Sequence, residues 1–108
     1  MEEIRTAEIY VHGQLAGWLD ELEKKKTYRF RYKEDYEGPA VSLTMPISQK
    51  VYEYASFPPF FDGLLPEGNQ LEGLLKQAKL DRNDYFGQLI AVGGDMVGAV
   101  TVGEKKEV

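Results

Sequence analysis

The sequence predicts an α+β fold: a small single domain with a mainly antiparallel sheet of about five strands and two to three helices. Three observations predict it. Apolar and polar residues alternate with period two through much of the first half, at Ala7–His12, Tyr28–Lys33 and Val41–Met45. In the second half Leu71, Leu74, Leu75 and Ala78 fall at helical spacing. The chain then returns to β-rich sequence in "MVGAVTV", so a strand near each end can pair within the sheet. A chain of 108 residues has room for one domain, 1–108, with one modest core.

The elements follow in order. Ala7, Ile9 and Val11 alternate with Glu8, Tyr10 and His12 as a first strand, and Gly13 supplies a turn. "LAGWL" begins a second strand at Leu15. In "EKKKTYRFRYK", Tyr28, Phe30 and Tyr32 alternate with Arg29, Arg31 and Lys33, the signature of a half-buried third strand with a solvated basic face. "EDYEGP" reads as a loop. Val41, Leu43 and Met45 alternate with Ser42 and Thr44 as a fourth strand, ended by Pro46. A helix follows with Leu71, Leu74, Leu75 and Ala78 on its apolar face, weakened by Gly73 by roughly 1 kcal/mol relative to alanine. Asp81, with Asp84 three residues on, reads as a cap and an acid in the first turn of the next helix. Phe86, Leu89 and Ile90 form its buried stripe, and Gly93-Gly94 stops it. The closing strand comes last, and "GEKKEV" reads as a solvated tail.

Composition narrows the function classes. The formal net charge is -5, so the chain alone is a poor binder of nucleic-acid phosphates, and no direct DNA binding is expected. No apolar run approaches the roughly 20 residues of a membrane-spanning helix. The N-terminus lacks the pattern of a secretory signal. With no cysteine there are no disulfides or thiolate metal sites. A cytoplasmic setting is expected from these features together.

No catalytic constellation emerges. His12 is the one histidine, beside a turn glycine, and reads as a surface residue. "GGDMVG" lacks the lysine and hydroxyl of a phosphate-binding loop, and it follows a helix where a dinucleotide fingerprint precedes one. A helix end and a hairpin turn explain it better. No enzyme activity, cofactor or metal is expected.

One stretch stands apart. "PPFFDGLLPEGNQ", Pro58 to Gln70, sets Phe60, Phe61, Leu64 and Leu65 among three prolines. The apolar spacing is that of a single helical turn. Phe60 and Phe61 are adjacent and must diverge, so the turn can bury one side on the sheet and present the other. Two roles stay open, a core clasp and an anchor for a partner protein.

Five segments in order carry a family resemblance: "IYVHGQLAGWL", "FRYKEDYEG", "VSLTMPI", "PFFDGLLPEG" and "DYFGQLIAVGGDMVGAV". The chain resembles the N-terminal subdomain of HipA-type toxin kinases over roughly Ile9 to Val102. Phosphoryl transfer needs a metal-holding acid, a phosphate-positioning lysine and a base on one scaffold, and none is identifiable before the chain stops at Val108. A stand-alone chain of this kind resembles the HipS-type antitoxins of three-component HipBST toxin-antitoxin systems. That resemblance implies a separate HipA-like (HipT-type) serine/threonine kinase toxin as partner, with a HipB-like DNA-binding protein as third component in a ternary complex. Phe60, Phe61, Asp62, Leu64, Leu65, Pro66 and Glu67 are the expected kinase-binding residues. The alternative is the N-terminal subdomain of a longer HipA-like kinase, acting within the chain or at a subunit interface.

Overall fold

The computed structural model describes residues 4–95 and 99–104. Ala7, Ile9 and Val11, at 0–3 % exposure, line one side of β1 (Arg5–Val11). His12 (φ 51°) and Gly13 (φ 80°) then make a two-residue turn. Positive φ at both positions matches the right-handed twist of a tight hairpin, and it explains the glycine. β2 (Gln14–Glu23) returns antiparallel to β1, and β3 (Thr27–Tyr32) pairs back on β2. The fourth strand is β4 (Val51–Tyr54), paired with β3, and β5 (Val100–Glu104) lies along β1. The sheet order is β4-β3-β2-β1-β5, antiparallel throughout, with the two end strands of the chain side by side.

Among the described residues three helices complete the fold: α1 (Pro59–Asp62), α2 (Gly68–Ala78) and α3 (Tyr85–Val92). Phe61 of α1 and Phe86 and Leu89 of α3 join Ala7, Ile9, Leu19, Tyr28 and Phe30 in one core. Register puts Thr6, Glu8, Trp18, Asp20, Arg29 and Arg31 on the opposite face of the sheet. The architecture is thus α+β, a five-stranded antiparallel sheet with three helices. Among the described residues no helix is long and apolar enough to cross a membrane.

Several sequence expectations need correction. Val41–Met45 is not a strand. Met45 N–H bonds Ser42 O at 3.0 Å, closing a tight turn with one isolated bridge. Val41 and Met45 are buried as expected, but Leu43 at the tip is fully exposed. Alternation records which side chains are covered, and a turn wedged against a core alternates just as a strand does. The cap of α3 is Asp84, whose side chain accepts from Gly87 N–H at 3.1 Å, whereas exposed Asp81 pairs with Lys25 at 3.3 Å. Gly93 does not take the left-handed conformation of a helix-ending glycine. The backbone continues into a short 3-10 turn at Gly93–Asp95. A Cβ on Gly93 would stand 2.2 Å from Val102 O, so the residue is small because two backbones meet there. Gly103 and Glu104, expected as the start of a solvated tail, pair with β1 as the end of β5, whereas the rest of that tail and Met96–Gly98, where the closing strand was expected to begin, lie outside the described residues.

The basic face of β3 is more than a solvated surface. Asp20, 1 % exposed, sits directly opposite Arg29. Its carboxylate accepts from Arg29 and Arg31 (3.1 and 2.9 Å) and from the Thr6 hydroxyl (2.8 Å). Burial alone would raise the Asp20 pKa, but these donors hold it below the usual carboxylate range. Arg31 also stacks over the cross-strand Trp18 ring, 4.6 Å from its centroid.

Candidate partner-binding surface

The stretch after β4 is built from backbone restraints outward. Pro59 fixes φ at the first helical position, where no N–H is needed. Asp62 N–H then bonds Pro58 O at 3.0 Å, Gly63 N–H bonds Pro59 O at 3.1 Å, and Leu64 N–H bonds Phe61 O at 3.0 Å. One helical turn is thereby defined from Pro58 to Leu64. It is nailed to the sheet by two residues four apart, Phe57 (9 % exposed) and Phe61 (0 %). Phe57 meets Tyr28 edge-on, centroids 5.2 Å apart, and Phe61 meets Phe30 at 6.0 Å.

The expected binding residues fall into three groups. Phe61 is wholly buried and serves the core. Phe60, Leu64, Leu65 and Pro66 are half-buried, the first three packed against the margin of the core with one side left open. Asp62 and Glu67 are exposed. Phe60 stands edge-on to Phe61, centroids 5.2 Å apart, so its ring is held by the buried one beside it. Phe57 completes the clasp from outside the proline-rich stretch. Its spacing of four from Phe61 was the available signal.

The surface continues into α2. Leu71, Leu74, Leu75 and Ala78 were expected to share one apolar face; no residue of α2 is buried, the three leucines are half-buried and Ala78 is exposed. The helix also lacks a side-chain N-cap. Burial of an amphipathic face usually supplies most of a short helix's stability, and here that face is incompletely covered.

An ion cluster fixes α3 behind this surface. Arg5 bonds Glu21 through two parallel N–H groups, both at 2.8 Å, and donates to Asp84 at 2.8 Å. The guanidinium lies 4.9 Å from the Phe86 ring centroid. Burial pushes the Asp84 carboxyl up, but Arg5 and the Gly87 N–H outweigh it and hold the pKa low. The cluster anchors the start of α3, whose Tyr85 packs against Phe57 at 5.7 Å.

Among the described residues no group of His, Asp and Glu has the makings of a metal site. His12 is exposed in its turn, with its backbone N–H bonded to Ala99 O at 2.8 Å. A hollow of ≈ 360 Å³ lies between Leu22, Thr27, Tyr28, Glu53, Tyr54 and Ala55, with no nucleophile and base paired in it.

A small antiparallel sheet carrying helices, with an apolar, partly open one-turn clasp packed on its core, defines the class: a small α+β domain. The chain belongs to the HipA N-terminal domain family, which it matches over residues 7–103. In structure it is similar to the N-terminal domain of HipA toxin, with a TM-score of 0.75 and 26% identity over 100% of this chain and 99% of that one. It is 31% identical over 104 residues to an uncharacterised protein of Haemophilus influenzae (strain ATCC 51907 / DSM 11121 / KW20 / Rd), covering 96% of each. It is also 29% identical over 111 residues to Y4dM of Sinorhizobium fredii (strain NBRC 101917 / NGR234), a protein named as a candidate kinase. That match covers 94% of this chain and 27% of Y4dM.

Proposed function

We propose that this chain is an antitoxin that binds and neutralises a separate HipA-like serine/threonine kinase of the HipT type, within a three-component toxin-antitoxin system that includes a HipB-like DNA-binding protein. In this reading the chain carries out no phosphoryl transfer and works in the cytoplasm by protein-protein contact. The observation that carries it is the pair of relatives. The same domain spans 96% of a small protein and only 27% of one named as a kinase, which supports a kinase part and a recognition part that occur joined or apart. The clasp supplies the contact: Phe60, Leu64, Leu65 and Pro66 are half-open apolar side chains on a braced backbone, with Asp62 and Glu67 at the rim. Aromatic and apolar anchors inside a polar rim are the usual energetic centre of such interfaces.

The 27% coverage of Y4dM favours a second reading, in which the domain is the N-terminal part of a longer kinase and the clasp docks on its own catalytic body. The test is co-expression of the chain with the kinase encoded beside its gene. Restored growth supports the antitoxin. Unrelieved toxicity, or a single continuous frame with a kinase, favours the second reading.

A further inference from the structure

The Ser42–Met45 turn presents one large apolar side chain to solvent on a braced mount. Leu43 has 102 % relative exposure, far above Ile4, Val51 and Tyr85, the other exposed large apolar residues among those described. Its two flanks are tied together from below. The buried Tyr32 hydroxyl donates to Met45 O and accepts from Val41 N–H at 2.9 Å, so one side chain spans the mouth of the turn. Tyr32 itself stacks on Tyr36, centroids 6.0 Å apart and planes 6° from parallel. Above, the Ser42 and Thr44 hydroxyls bond each other at 2.9 Å, and Thr44 N–H bonds Ser42 Oγ at 3.2 Å. The turn's polar groups are largely occupied with one another, leaving the leucine to meet whatever approaches.

The surroundings select the kind of partner. From Pro39 to Gln49 there is no charged residue, in a chain that is 29% charged. Pro39, Ala40, Thr44, Pro46 and Ser48 are nevertheless exposed. Loss of charge together with an apolar anchor marks the centre of a protein interface. Nucleic acid and anionic lipid would each require cations, and this segment has none. The turn and the clasp also share one foundation. Rings run from Phe60 to Phe61, Phe30, Tyr32 and Tyr36 with successive centroid spacings of 5.2, 6.0, 4.8 and 6.0 Å. A rigid row of rings holds the two presented features at a fixed separation, which suits simultaneous contact with one rigid partner.

We propose that the Ser42–Met45 turn is a second contact for the kinase, with Leu43 seated in an uncharged apolar socket; this rests on the antitoxin reading above. The test titrates the purified kinase with wild-type chain, Leu43→Asp and Leu43→Met. The side chain touches no core residue, so both variants should keep the wild-type Tm. Leu43→Asp is expected to weaken binding about tenfold or more, and Leu43→Met to stay within about threefold of wild type. Wild-type binding that survives Leu43→Asp unchanged overturns this contact and leaves the antitoxin reading standing. No binding by the wild type overturns the antitoxin reading and the contact with it. Self-association lost in Leu43→Asp with kinase affinity kept assigns the turn to a second copy of the chain and also overturns the proposal.

Discussion

Arg5→Met tests how the sheet holds α3 in place. The substitution keeps an unbranched apolar chain and removes the guanidinium from two carboxylates and from the Phe86 ring. Glu21 has a side chain only 2% exposed and Asp84 one 15% exposed, while Arg5 itself is 35% exposed. Taking one partner from a buried ion pair costs about 3–5 kcal/mol, because a charge stays behind without a counter-charge. Water reaching the open side of Arg5 screens part of this, which places the expected cost near the lower end, about 3 kcal/mol. At roughly 4 °C per kcal/mol for a domain of this size, Tm should fall by about 12 °C. Adding Glu21→Gln removes the more deeply buried orphan charge and should restore more than about 1 kcal/mol. Thermal unfolding of wild type and both variants at pH 7 measures the effect. A fall of less than about 4 °C for Arg5→Met would refute the reasoning, since the cluster would then behave as an ordinary surface pair.

Three further outcomes are expected. Tyr32→Phe should cost about 1–3 kcal/mol by stripping Met45 O and Val41 N–H of their shared partner, whereas Tyr28→Phe should be neutral or raise Tm; the Tyr28 hydroxyl, its pKa pushed up to about 12 chiefly by burial, has no hydrogen-bond partner among the described residues. Asp20 and Asp84 have folded pKa values below their unfolded ones, so the stability they supply is complete above an unfolded value of about 3.9 and is lost as pH falls through the folded values. Acid titration followed by circular dichroism should show this loss, and Asp20→Asn should flatten it while lowering Tm at pH 7. Phe61→Ala should cost about 3–5 kcal/mol of folding stability, whereas Phe60→Ala should cost less than about 2 kcal/mol and abolish kinase neutralisation; joint loss of fold and neutralisation in both variants would make the stretch a structural clasp alone.

The parts of the fold that follow from local periodicity were legible in the sequence. Tyr28, Phe30 and Tyr32 are buried where their alternation with Arg29 and Arg31 placed them, and Phe86 and Leu89 are buried where the helical spacing placed them. Val41–Met45 carries the same alternation and is a turn, while the actual fourth strand, "VYEY" at Val51–Tyr54, is only four residues long and too short to declare a period. The Asp20 cluster depends on register. Asp20 meets Arg29 and Arg31 only because β2 and β3 pair at Asp20↔Arg29, and nothing local announces that offset. "LDEL" facing "RFR" across a tight hairpin was the available hint. At the clasp, the proline-bracketed "FFDGLL" was readable as one helical turn, and divergence of adjacent aromatics follows from backbone geometry alone. Which of the two rings enters the core was set by Phe30 on β3, a contact across the fold.

The most direct test of the account is calorimetric titration of this chain into the purified HipA-like kinase that the antitoxin reading places beside its gene. A 1:1 complex with Kd of about 1 μM or tighter, and kinase activity falling in step with its formation, is the expected result. No complex at concentrations of about 100 μM, or a complex in which the kinase remains fully active, would contradict it.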